Sequence, residues 1–433
     1  MKPKKFIYGQ RGSERYTHYL FRYPAKFHPP IAHALIEQFS DPGDIVLDPF
    51  CGSGTLLVEA ISIGRNAIGV DIDPVAAYIS RVKTMRISTT QLHRSAEKIL
   101  DALLPHEKSE KEYNSLMFTD IDYEDVYTEA KAKNLYLPNI PNIKHWFRNY
   151  VLIDLATIRR EISLASIPSR HREFFWLCFG SIIRNSSNAD PVPVSGLEVT
   201  SYMLKLEKKG RLINPFDLFR KRITRSLKDW SEFQESLNCA ITSVKIKHGD
   251  STRVRRYVRT PVDVIITSPP YHNAVDYYRR HTLEMYWLGL VKNRQDRLAL
   301  RSKYIGRQQV AKSDPIIIRT TLQSSLAKKW EKRMAEHSEQ RARDFKHYVL
   351  SMTQTIAGLS GLLKDGGKAV FVVGKNSWND YEIPTVELFD EIVGNKFKLI
   401  DRYWYPIKNR YMTYTRHNNA NIDKEYVLVY EKN

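Results

Sequence analysis

The sequence predicts an α/β fold built on a parallel sheet and interrupted by a long, mainly helical insertion. Two short apolar runs, at 44–48 and 66–71, each end in an aspartate, and a helix-forming run separates them. Strand, glycine-containing loop, helix and strand form a βαβ unit, and such units build parallel sheets that are buried on both faces. After residue 84 the pattern becomes helical, which predicts the insertion.

The first half of the sheet is predicted from turn and cap residues. Asp41-Pro-Gly-Asp44 predicts a turn before the first strand. The following helix, after residue 55, is expected to stop near Gly64. Asp73, followed by Pro74, is a favourable N-cap for the next helix. Residues 1–84 are therefore interpreted as the N-terminal half of a catalytic domain.

Residues 85–240 are predicted to be an inserted helical subdomain, and 241–433 the second half of the catalytic domain. Helices are expected at 91–104, 149–162 and 174–184, with Trp146, Phe147, Trp176 and Phe179 as core residues. Strands are expected at 244–250, 262–267 and 368–373. The runs at 398–404 and 425–430 are predicted to pair as a terminal hairpin. A basic, polar segment lies at 291–345, and its 327–342 run is predicted to be strongly helical and charged, with a solvent face.

Composition excludes several classes of protein. The chain has 433 residues, 42% of them hydrophobic, which argues against wholesale disorder, and no apolar run approaches the length of a transmembrane helix. Its N-terminus does not resemble a signal peptide. Three cysteines without a CxxC pair argue against a disulfide framework or zinc site, so no metal is expected, and a cytoplasmic location is favoured. The net charge of +19 indicates a polyanionic partner.

The loop Asp48-Pro-Phe-Cys-Gly-Ser-Gly-Thr55 is the first candidate binding site. Gly52 and Gly54 permit close approach of a ligand, and the loop leads into a helix N-terminus with exposed N–H groups. It is neither a P-loop nor a GxGxxG motif. Asp71, at the end of the next strand, is suited to accept hydrogen bonds from a ribose diol. These features favour an adenosine cofactor without a pyrophosphate; the alternative is an ordinary βα turn with a surface aspartate.

The second candidate site is Thr267-Ser-Pro-Pro-Tyr271, at the carboxyl end of a predicted strand, where ligands bind in such sheets. Two prolines stiffen the loop and leave its carbonyl groups free to accept hydrogen bonds. Ser268 Oγ and the Pro269 carbonyl are both placed to accept from one amino group, and Tyr271 offers a ring for stacking. The alternative is a rigid turn with an incidental tyrosine.

Together, the two motifs resemble those of the S-adenosylmethionine-dependent amino-methyltransferases of DNA. In that family Asp-Pro-Phe-x-Gly-Ser-Gly-Thr binds the cofactor, and [Asp/Asn/Ser]-Pro-Pro-[Tyr/Phe] is catalytic. The Ser form, present here at 268–271, looks like the N4-cytosine branch of bacterial and archaeal restriction-modification systems. The resemblance covers roughly residues 15–80 and 240–430, and implies a Rossmann-like class I methyltransferase sheet with a reversed last strand. The insertion between Asp71 and Asp250, before the third strand, departs from the family's pattern. It is the candidate target-recognition domain, and the basic 291–345 segment is a competing candidate.

The resemblance implies a set of site residues. The catalytic ones are Ser268, Pro269, Pro270 and Tyr271. Those implied to bind S-adenosylmethionine are Tyr23, Pro24, Ala25, Lys26, Phe27, Asp48, Pro49, Phe50, Cys51, Gly52, Ser53, Gly54, Thr55, Asp71, Ile72, Asp250, Ser251 and Thr267. Candidate DNA contacts after the catalytic loop are His272, Tyr277, Tyr278, Arg279 and Arg280; the alternative there is a helix with a solvated basic face.

The function implied is transfer of a methyl group to the N4 amine of a cytosine that is flipped out of double-stranded DNA. The alternatives are an adenine-N6 enzyme, an RNA guanine-N2 methyltransferase, and a catalytically silent nucleic-acid-binding protein. No cysteine follows a proline, which disfavours C5-cytosine chemistry. A cognate endonuclease is a candidate partner, with the protein a monomer or homodimer associated with the nucleoid and not with a membrane. Residues 251–350 carry a net +12 and residues 81–240 only +5, so charge gathers near the catalytic loop.

Overall fold

The structure is a computed structural model. It describes residues 2–9, 15–24, 26–117, 122–191, 196–237, 241–272, 277–374, 376–378, 381–407 and 423–432. Within these ranges the chain forms an eight-stranded sheet, a two-stranded ribbon and eighteen α-helices.

The strands are β1 (Lys4–Lys5), β2 (Ile45–Asp48), β3 (Asn66–Asp71), β4 (Val244–His248), β5 (Val262–Thr267), β6 (Leu363–Gly374), β7 (Asn376–Trp378), β8 (Tyr381–Ile383), β9 (Phe397–Pro406) and β10 (Lys424–Lys432). The main sheet has the order β1-β9-β10-β6-β5-β2-β3-β4, and β7 pairs with β8. Strand β10 is antiparallel to both β6 and β9, whereas the other pairs of the main sheet are parallel. The predicted α/β class and the terminal hairpin are therefore confirmed.

The helices before β4 are α1 (Pro29–Phe39), α2 (Thr55–Ser62), α3 (Pro74–Lys83), α4 (Thr89–Leu103), α5 (Glu110–Met117), α6 (Tyr123–Ala132), α7 (Ile143–Trp146), α8 (Asn149–Leu164), α9 (Ser169–Ile183), α10 (Ser201–Lys208) and α11 (Pro215–Ser236). After β5 come α12 (Tyr277–Arg280), α13 (Thr282–Trp287), α14 (Arg294–Arg301), α15 (Pro315–Arg319), α16 (Ser325–Ala335), α17 (Glu339–Ser360) and α18 (Thr385–Val393). None of the helices in the described ranges is long and apolar enough to cross a membrane.

The sheet is covered by helices on both faces. Successive side chains of a strand point to opposite faces, so each strand contributes to both layers of the core. Val46 of β2 packs with the cluster under α1 and α2, whereas the next residue, Leu47, packs with the cluster under α16, α17 and α18. The same alternation holds in β5 and β6. Asp73 caps α3 as predicted, since its carboxylate accepts hydrogen bonds from the N–H groups of Val75 and Ala76.

Helices α4 to α11 lie between β3 and β4 in the chain, at the position of the insertion, and the described residues there form no strand. Phe147 and Phe179 are buried, and Trp146 and Trp176 pack against their cluster, so the predicted aromatic core is confirmed. This cluster also contains residues of α3 and α13. The insertion thus shares one continuous core with two helices of the sheet domain.

The 327–342 run is helical and charged as predicted, but it is divided between two helices. Helix α16 ends at Ala335 and α17 begins at Glu339. The Ser338 hydroxyl accepts a hydrogen bond from the Arg341 N–H at 3.3 Å, so this serine starts a new helix instead of continuing the old one. Trp330 and Met334 are buried, and only the opposite face of α16 carries the solvated charges.

Candidate functional site

The glycine loop between β2 and α2 turns sharply at the carboxyl edge of the sheet. Gly52 and Gly54 have φ values of +48° and +74°, in the left-handed region that favours glycine. The Gly54 N–H donates to the Cys51 carbonyl at 2.7 Å and closes the turn. A Cβ on Gly54 would lie 2.8 Å from Ser80 Oγ of α3, so this close approach also requires glycine.

Asp48 anchors the start of this loop to β5. Its Oδ1 accepts hydrogen bonds from Thr267 Oγ1 at 2.7 Å and from the Phe50 N–H at 3.1 Å. The side chain is buried, and burial raises the pKa of its carboxyl to about 7. Thr267 therefore lies beneath the loop and supports it.

Asp71 holds the other side of the loop from the end of β3. Its two oxygens accept hydrogen bonds from the Gly52 and Asp73 N–H groups, each at 2.8 Å. Burial raises the pKa of the Asp71 carboxyl to about 7, and the neighbouring Asp73 carboxylate adds to the rise. Each carboxylate oxygen has a second lone pair, so Asp71 retains capacity to accept from a ligand hydroxyl.

Two buried hydroxyl groups at the loop lack partners within the described residues. They are Ser53 Oγ and Thr55 Oγ1, both nearly inaccessible to solvent. Native proteins satisfy almost all buried polar groups, so unpaired hydroxyl groups beside a cavity indicate a polar ligand. Both residues line the pocket that opens above the loop.

That pocket has a volume of about 850 Å³, counting the space open at its mouth, which suits a cofactor-sized ligand. It brings together most of the residues that the sequence implies for cofactor binding: Tyr23, Lys26, Phe27, Asp48, Phe50, Cys51, Gly52, Ser53, Thr55, Asp71, Ile72, Asp250 and Ser251. Pro24, Pro49, Gly54 and Thr267 do not line it, and Ala25 lies outside the described residues. Ser268 and Pro270 of the catalytic loop form part of the same wall.

The segment before α1 covers one side of the pocket. Lys26 Nζ donates to the His18 carbonyl at 3.2 Å and lies 3.6 Å from the centre of the Tyr19 ring. Burial lowers the pKa of Lys26 to about 8. The Tyr23 ring stacks on His281, with ring centres 5.0 Å apart, and so links this segment to the chain that follows the catalytic loop.

A buried polar network supports the loop from below, and sequence reasoning missed it. Glu59 of α2 contacts His18 Nε2 at 2.6 Å and His33 Nδ1 at 2.8 Å. Burial opposes ionisation of Glu59, but the two histidine hydrogen bonds prevail and lower its pKa to about 2. Lys83 of α3, also buried, donates to the Ser53 carbonyl at 2.7 Å. These contacts join residues far apart in the chain, so no local sequence pattern predicts them.

The β4 end of the pocket is formed by Asp250 and Ser251. Asp250 caps a short 3₁₀ helix, because its Oδ1 accepts from the N–H and hydroxyl of Thr252 at 2.9 and 2.7 Å. The Ser251 hydroxyl donates to the Pro49 carbonyl. Pro49 therefore contributes through its main chain, which ties the cofactor loop to the segment after β4.

The tetrapeptide Ser268-Pro-Pro-Tyr271, predicted to be catalytic, follows β5 directly. Ser268 and Pro270 are partly buried and Pro269 is buried. The Tyr271 hydroxyl donates to Glu425 Oε1 of β10 at 2.9 Å, so the tyrosine is held against the terminal hairpin. Sequence reasoning did not identify Glu425, because 154 residues separate the two partners.

Five further pocket residues outside the glycine loop were not identified from the sequence. They are Leu56, Asp73, Lys303, Tyr304 and Ile305. The next residue, Gly306, has φ +78°, and a Cβ there would lie 3.0 Å from the Tyr271 carbonyl oxygen. Gly306 was the one sequence feature that could have pointed to these pocket residues, and a single glycine in a polar segment does not define a binding site.

The residues predicted to contact DNA occupy different environments. The His272 ring is buried against Phe345 and Tyr348, with ring centres 5.4 and 5.7 Å away, and burial lowers its pKa to about 3. The Tyr278 ring lies near the guanidinium groups of Arg297 and Arg301, at 5.5 and 5.2 Å.

The two arginines of this group differ in exposure. Arg279 is exposed, whereas Arg280 is 9% exposed and its carbonyl accepts from Arg184. The Tyr277 side chain lies outside the described part of the chain. Of the described side chains in this set, Arg279 is thus the most exposed to solvent.

Comparison with known proteins identifies the family. A family model described as DNA methylase matches residues 3–81 and 262–433, more than half of the chain. The type II methyltransferase M.MvaI of Kocuria varians is 26% identical over 399 residues, which cover 88% of this chain and 81% of the relative. The type II methyltransferase M.MjaII of Methanocaldococcus jannaschii is 24% identical over 377 residues, 72% of this chain and 69% of the relative.

Solved structures resemble the chain only distantly. TrmN from Thermus thermophilus covers 95% of this chain and 50% of its own, with 10% identity and a TM-score of 0.32, too low to support a conclusion. The family match and the glycine loop carry the identification: methyltransferases of this family depend on S-adenosylmethionine, and the unpaired hydroxyl groups of Ser53 and Thr55 and the carboxylate of Asp71 fit that cofactor. The chain belongs to the N6/N4 DNA methylase family and is an S-adenosylmethionine-dependent DNA methyltransferase.

Proposed function

We propose that this enzyme methylates the exocyclic N4 amine of cytosine within a specific sequence of double-stranded DNA. The observation that carries the proposal is Ser268-Pro-Pro-Tyr271, which follows the carboxyl end of β5 and contributes Ser268 and Pro270 to the pocket wall. Serine at the first position resembles the N4-cytosine branch of the family. The type II designation of the relatives supports a cognate restriction endonuclease as a partner.

The residues of the pocket are proposed to hold S-adenosylmethionine in three parts. Asp71 accepts hydrogen bonds from the ribose hydroxyl groups, and Asp250 and Ser251 lie beside the adenine. Lys26 and the segment around it cover the methionine portion. The Lys26 ammonium group, which donates to the His18 carbonyl, is proposed to pair with the carboxylate of that portion. When bound, the cofactor supplies an electrophilic methyl group on its sulfonium sulfur.

The catalytic loop is proposed to activate the amine. An exocyclic amine conjugated with a pyrimidine is a poor nucleophile, because its lone pair is delocalised into the ring. Ser268 Oγ and the Pro269 carbonyl accept its two N–H groups and favour a pyramidal nitrogen that keeps the lone pair. The rate then comes largely from positioning, which a loop stiffened by two prolines provides.

The amine cannot reach this pocket from inside a duplex, so the cytosine is proposed to be flipped out of the stack. Tyr271 then stacks on the extruded base. Binding to the DNA backbone is proposed to involve the basic 291–345 segment, and the helical insertion is the candidate for reading the target sequence.

Adenine-N6 methylation is the second candidate, because cytosine and adenine present a similar amine beside a ring nitrogen. The family model embraces both amines by name. RNA methylation ranks below both; a match of 54 residues to a tRNA (guanine(10)-N2)-dimethyltransferase supports it, and it covers only 12% of this chain.

One experiment separates these activities. The purified protein is incubated with methyl-labelled S-adenosylmethionine and mixed-sequence DNA, or with RNA in parallel, and the products are digested to nucleosides for mass spectrometry. We expect N4-methylcytosine from DNA. N6-methyladenine, or a product from RNA alone, would contradict the proposal.

Ser268→Ala is the matched test of mechanism. Loss of the side-chain acceptor should lower the methylation rate ~100-fold, the usual range for one well-placed hydrogen-bonding group. Cofactor affinity, measured by calorimetry, should persist. Unchanged turnover would refute the role of Ser268.

A further inference from the structure

One face of the sheet beside the catalytic loop carries a row of three residues from adjacent strands. Glu425 of β10 is the register partner of Gly374 on β6 and of Tyr405 on β9. Directly opposite residues on neighbouring strands point to the same face of a sheet. Gly374, Glu425 and Tyr405 therefore form a continuous strip, here called the tyrosine seat.

The Tyr271 side chain lies on this seat. A Cβ on Gly374 would lie 2.8 Å from Cε2 of the Tyr271 ring, so the ring occupies the space that a larger residue would fill. The Tyr271 hydroxyl donates to Glu425 Oε1 at 2.9 Å, and the Tyr405 hydroxyl donates to Oε2. Both oxygens of one carboxylate are thus used to fix two phenol groups.

Tyr405 keeps its proton in this arrangement. Its side chain is buried, and burial together with the Glu425 carboxylate holds the pKa of Tyr405 well above its usual value. The hydroxyl therefore stays a donor across the working pH range and orients the carboxylate that receives Tyr271. The Tyr271 main chain is held separately, since its carbonyl oxygen packs against Gly306.

We propose that the tyrosine seat positions the Tyr271 ring for stacking on the target base, with Glu425 as its central positioning residue. The inference rests on the proposed function, in which Tyr271 stacks on the flipped base. Because its hydroxyl is committed to Glu425, Tyr271 offers the substrate its ring face and not a proton. A ring already fixed in one rotamer loses little side-chain entropy when the base arrives.

A double-mutant cycle of Tyr271→Phe and Glu425→Gln tests the proposal. Single-turnover methylation is measured with DNA and cofactor both saturating. Each single change should lower the rate ~10- to 100-fold, the scale of a small misplacement of a catalytic group. The two losses should not multiply in the double variant, because both changes act on the same contact: Tyr271→Phe removes the donor, and Glu425→Gln leaves a neutral amide with one acceptor oxygen for two phenol donors. Independent, multiplying losses would overturn the proposal.

A fluorescent duplex gives a readout that a merely structural role would not move. With 2-aminopurine at the target position, the wild-type enzyme should flip the base and quench its emission by stacking on Tyr271. In Tyr271→Phe and Glu425→Gln the emission of the bound complex should rise, while cofactor affinity in calorimetry stays unchanged. Emission equal to wild type in both variants would overturn the proposal.

Two further variants complete the design. Glu431→Gln, at the opposite end of β10, is the matched control and should leave rate and emission unchanged. If Glu425→Gln fails to fold, Gly374→Ala replaces it in the cycle, because its added Cβ displaces the same ring. Product identity is determined separately, so N6-methyladenine would overturn the cytosine proposal and leave the coupling measurable on adenine.

Discussion

At the scale of single residues, the site contains two carboxyl groups whose burial favours the uncharged form. Asp48 and Asp71 both have pKa values raised to about 7, chiefly by burial. Asp48 accepts from Thr267 and Phe50, whereas Asp71 accepts from the Gly52 N–H and sits where ribose hydroxyl groups are proposed to bind. Both carboxyl groups line the pocket, and Asp71 is the one proposed to contact the ribose.

Cofactor binding should consequently depend on pH through Asp71. A hydroxyl donor favours the ionised carboxylate, so the bound cofactor lowers the pKa of Asp71 and binding releases a proton near neutral pH. The affinity for the cofactor therefore rises from about pH 6 to about pH 8, by up to ~10-fold per pH unit below the pKa of Asp71 in the free protein. Calorimetry in buffers of different ionisation enthalpy measures both quantities.

Asp71→Asn is the control for this prediction, and should bind the cofactor more weakly with most of the proton release lost. Asp71→Ala should weaken binding further, because the Gly52 N–H then loses its acceptor and the loop its support. Proton release unchanged in Asp71→Asn would assign the titration to Asp48 instead.

At the scale of elements, the turn into α2 shows how a backbone conformation makes a binding site. Gly54 is the N-cap of α2 with φ +74°, and it brings the helix N-terminus against Ser80 of α3. Any side chain there meets both a strained backbone and a steric clash. The geometry of the cofactor loop and the packing of α2 on α3 are thus set by the same residue.

Gly54→Ala should lower both stability and cofactor affinity. Gly43→Ala is the matched control, since Gly43 also has positive φ, +93°, but nothing lies within 4 Å of its Cβ position. Both variants should lose ~1–2 kcal/mol of unfolding free energy from the left-handed backbone, and Gly54→Ala should lose more because its Cβ meets Ser80; denaturant titration measures both losses. Only Gly54→Ala should also lose cofactor affinity; equal affinity in the two variants would contradict this account.

Elements whose signals are local could be predicted from the sequence. The strand ending at Asp48, the glycine loop, the Asp73 cap and the tetrapeptide after β5 each carry their own pattern, and each lies where that pattern indicates. The break between α16 and α17 was missed because Ser338 lies within a strongly helical charged run.

Contacts between distant segments could not be predicted from one sequence. Glu425 with Tyr271, Lys83 with the Ser53 carbonyl, and the pocket wall at 303–305 are made by the tertiary fold alone. Their residues have no periodicity or spacing that distinguishes them from surface residues. The loops predicted to bind ligands could therefore be located from the sequence, whereas the residues that support them and the pocket wall at 303–305 could not.

At the scale of the whole molecule, the net charge of +19 is distributed unevenly. The positive excess lies in the segments around the catalytic loop, including the exposed Arg294 of α14 and Lys303 at the pocket. Helix α16 is also basic, but its Lys328 and Lys329 do not line the pocket. We propose that a duplex with a base in the pocket lies beside Lys303 and Arg294 and away from Lys328 and Lys329.

DNA affinity should accordingly fall with salt, and the two groups should contribute differently. Replacing Arg294 and Lys303 together by Gln should reduce the slope of log affinity against log salt by about 2, close to one unit for each phosphate that is no longer neutralised. Lys328→Gln with Lys329→Gln removes the same charge and should leave the slope nearly unchanged. Fluorescence anisotropy over a range of salt concentrations measures both, and equal slopes would refute a localised docking surface.

The shared core of the insertion limits how this enzyme can be recombined with its relatives. Trp287 of α13, which lies after the catalytic loop, packs edge-on to Phe147 and Phe179 of the insertion, with ring centres 5.9 and 6.0 Å away. A chimera that transplanted residues 85–240 alone would leave this tryptophan against a foreign surface. Residues 282–291 belong in the same graft, so the insertion and the chain that follows the catalytic loop are inherited together.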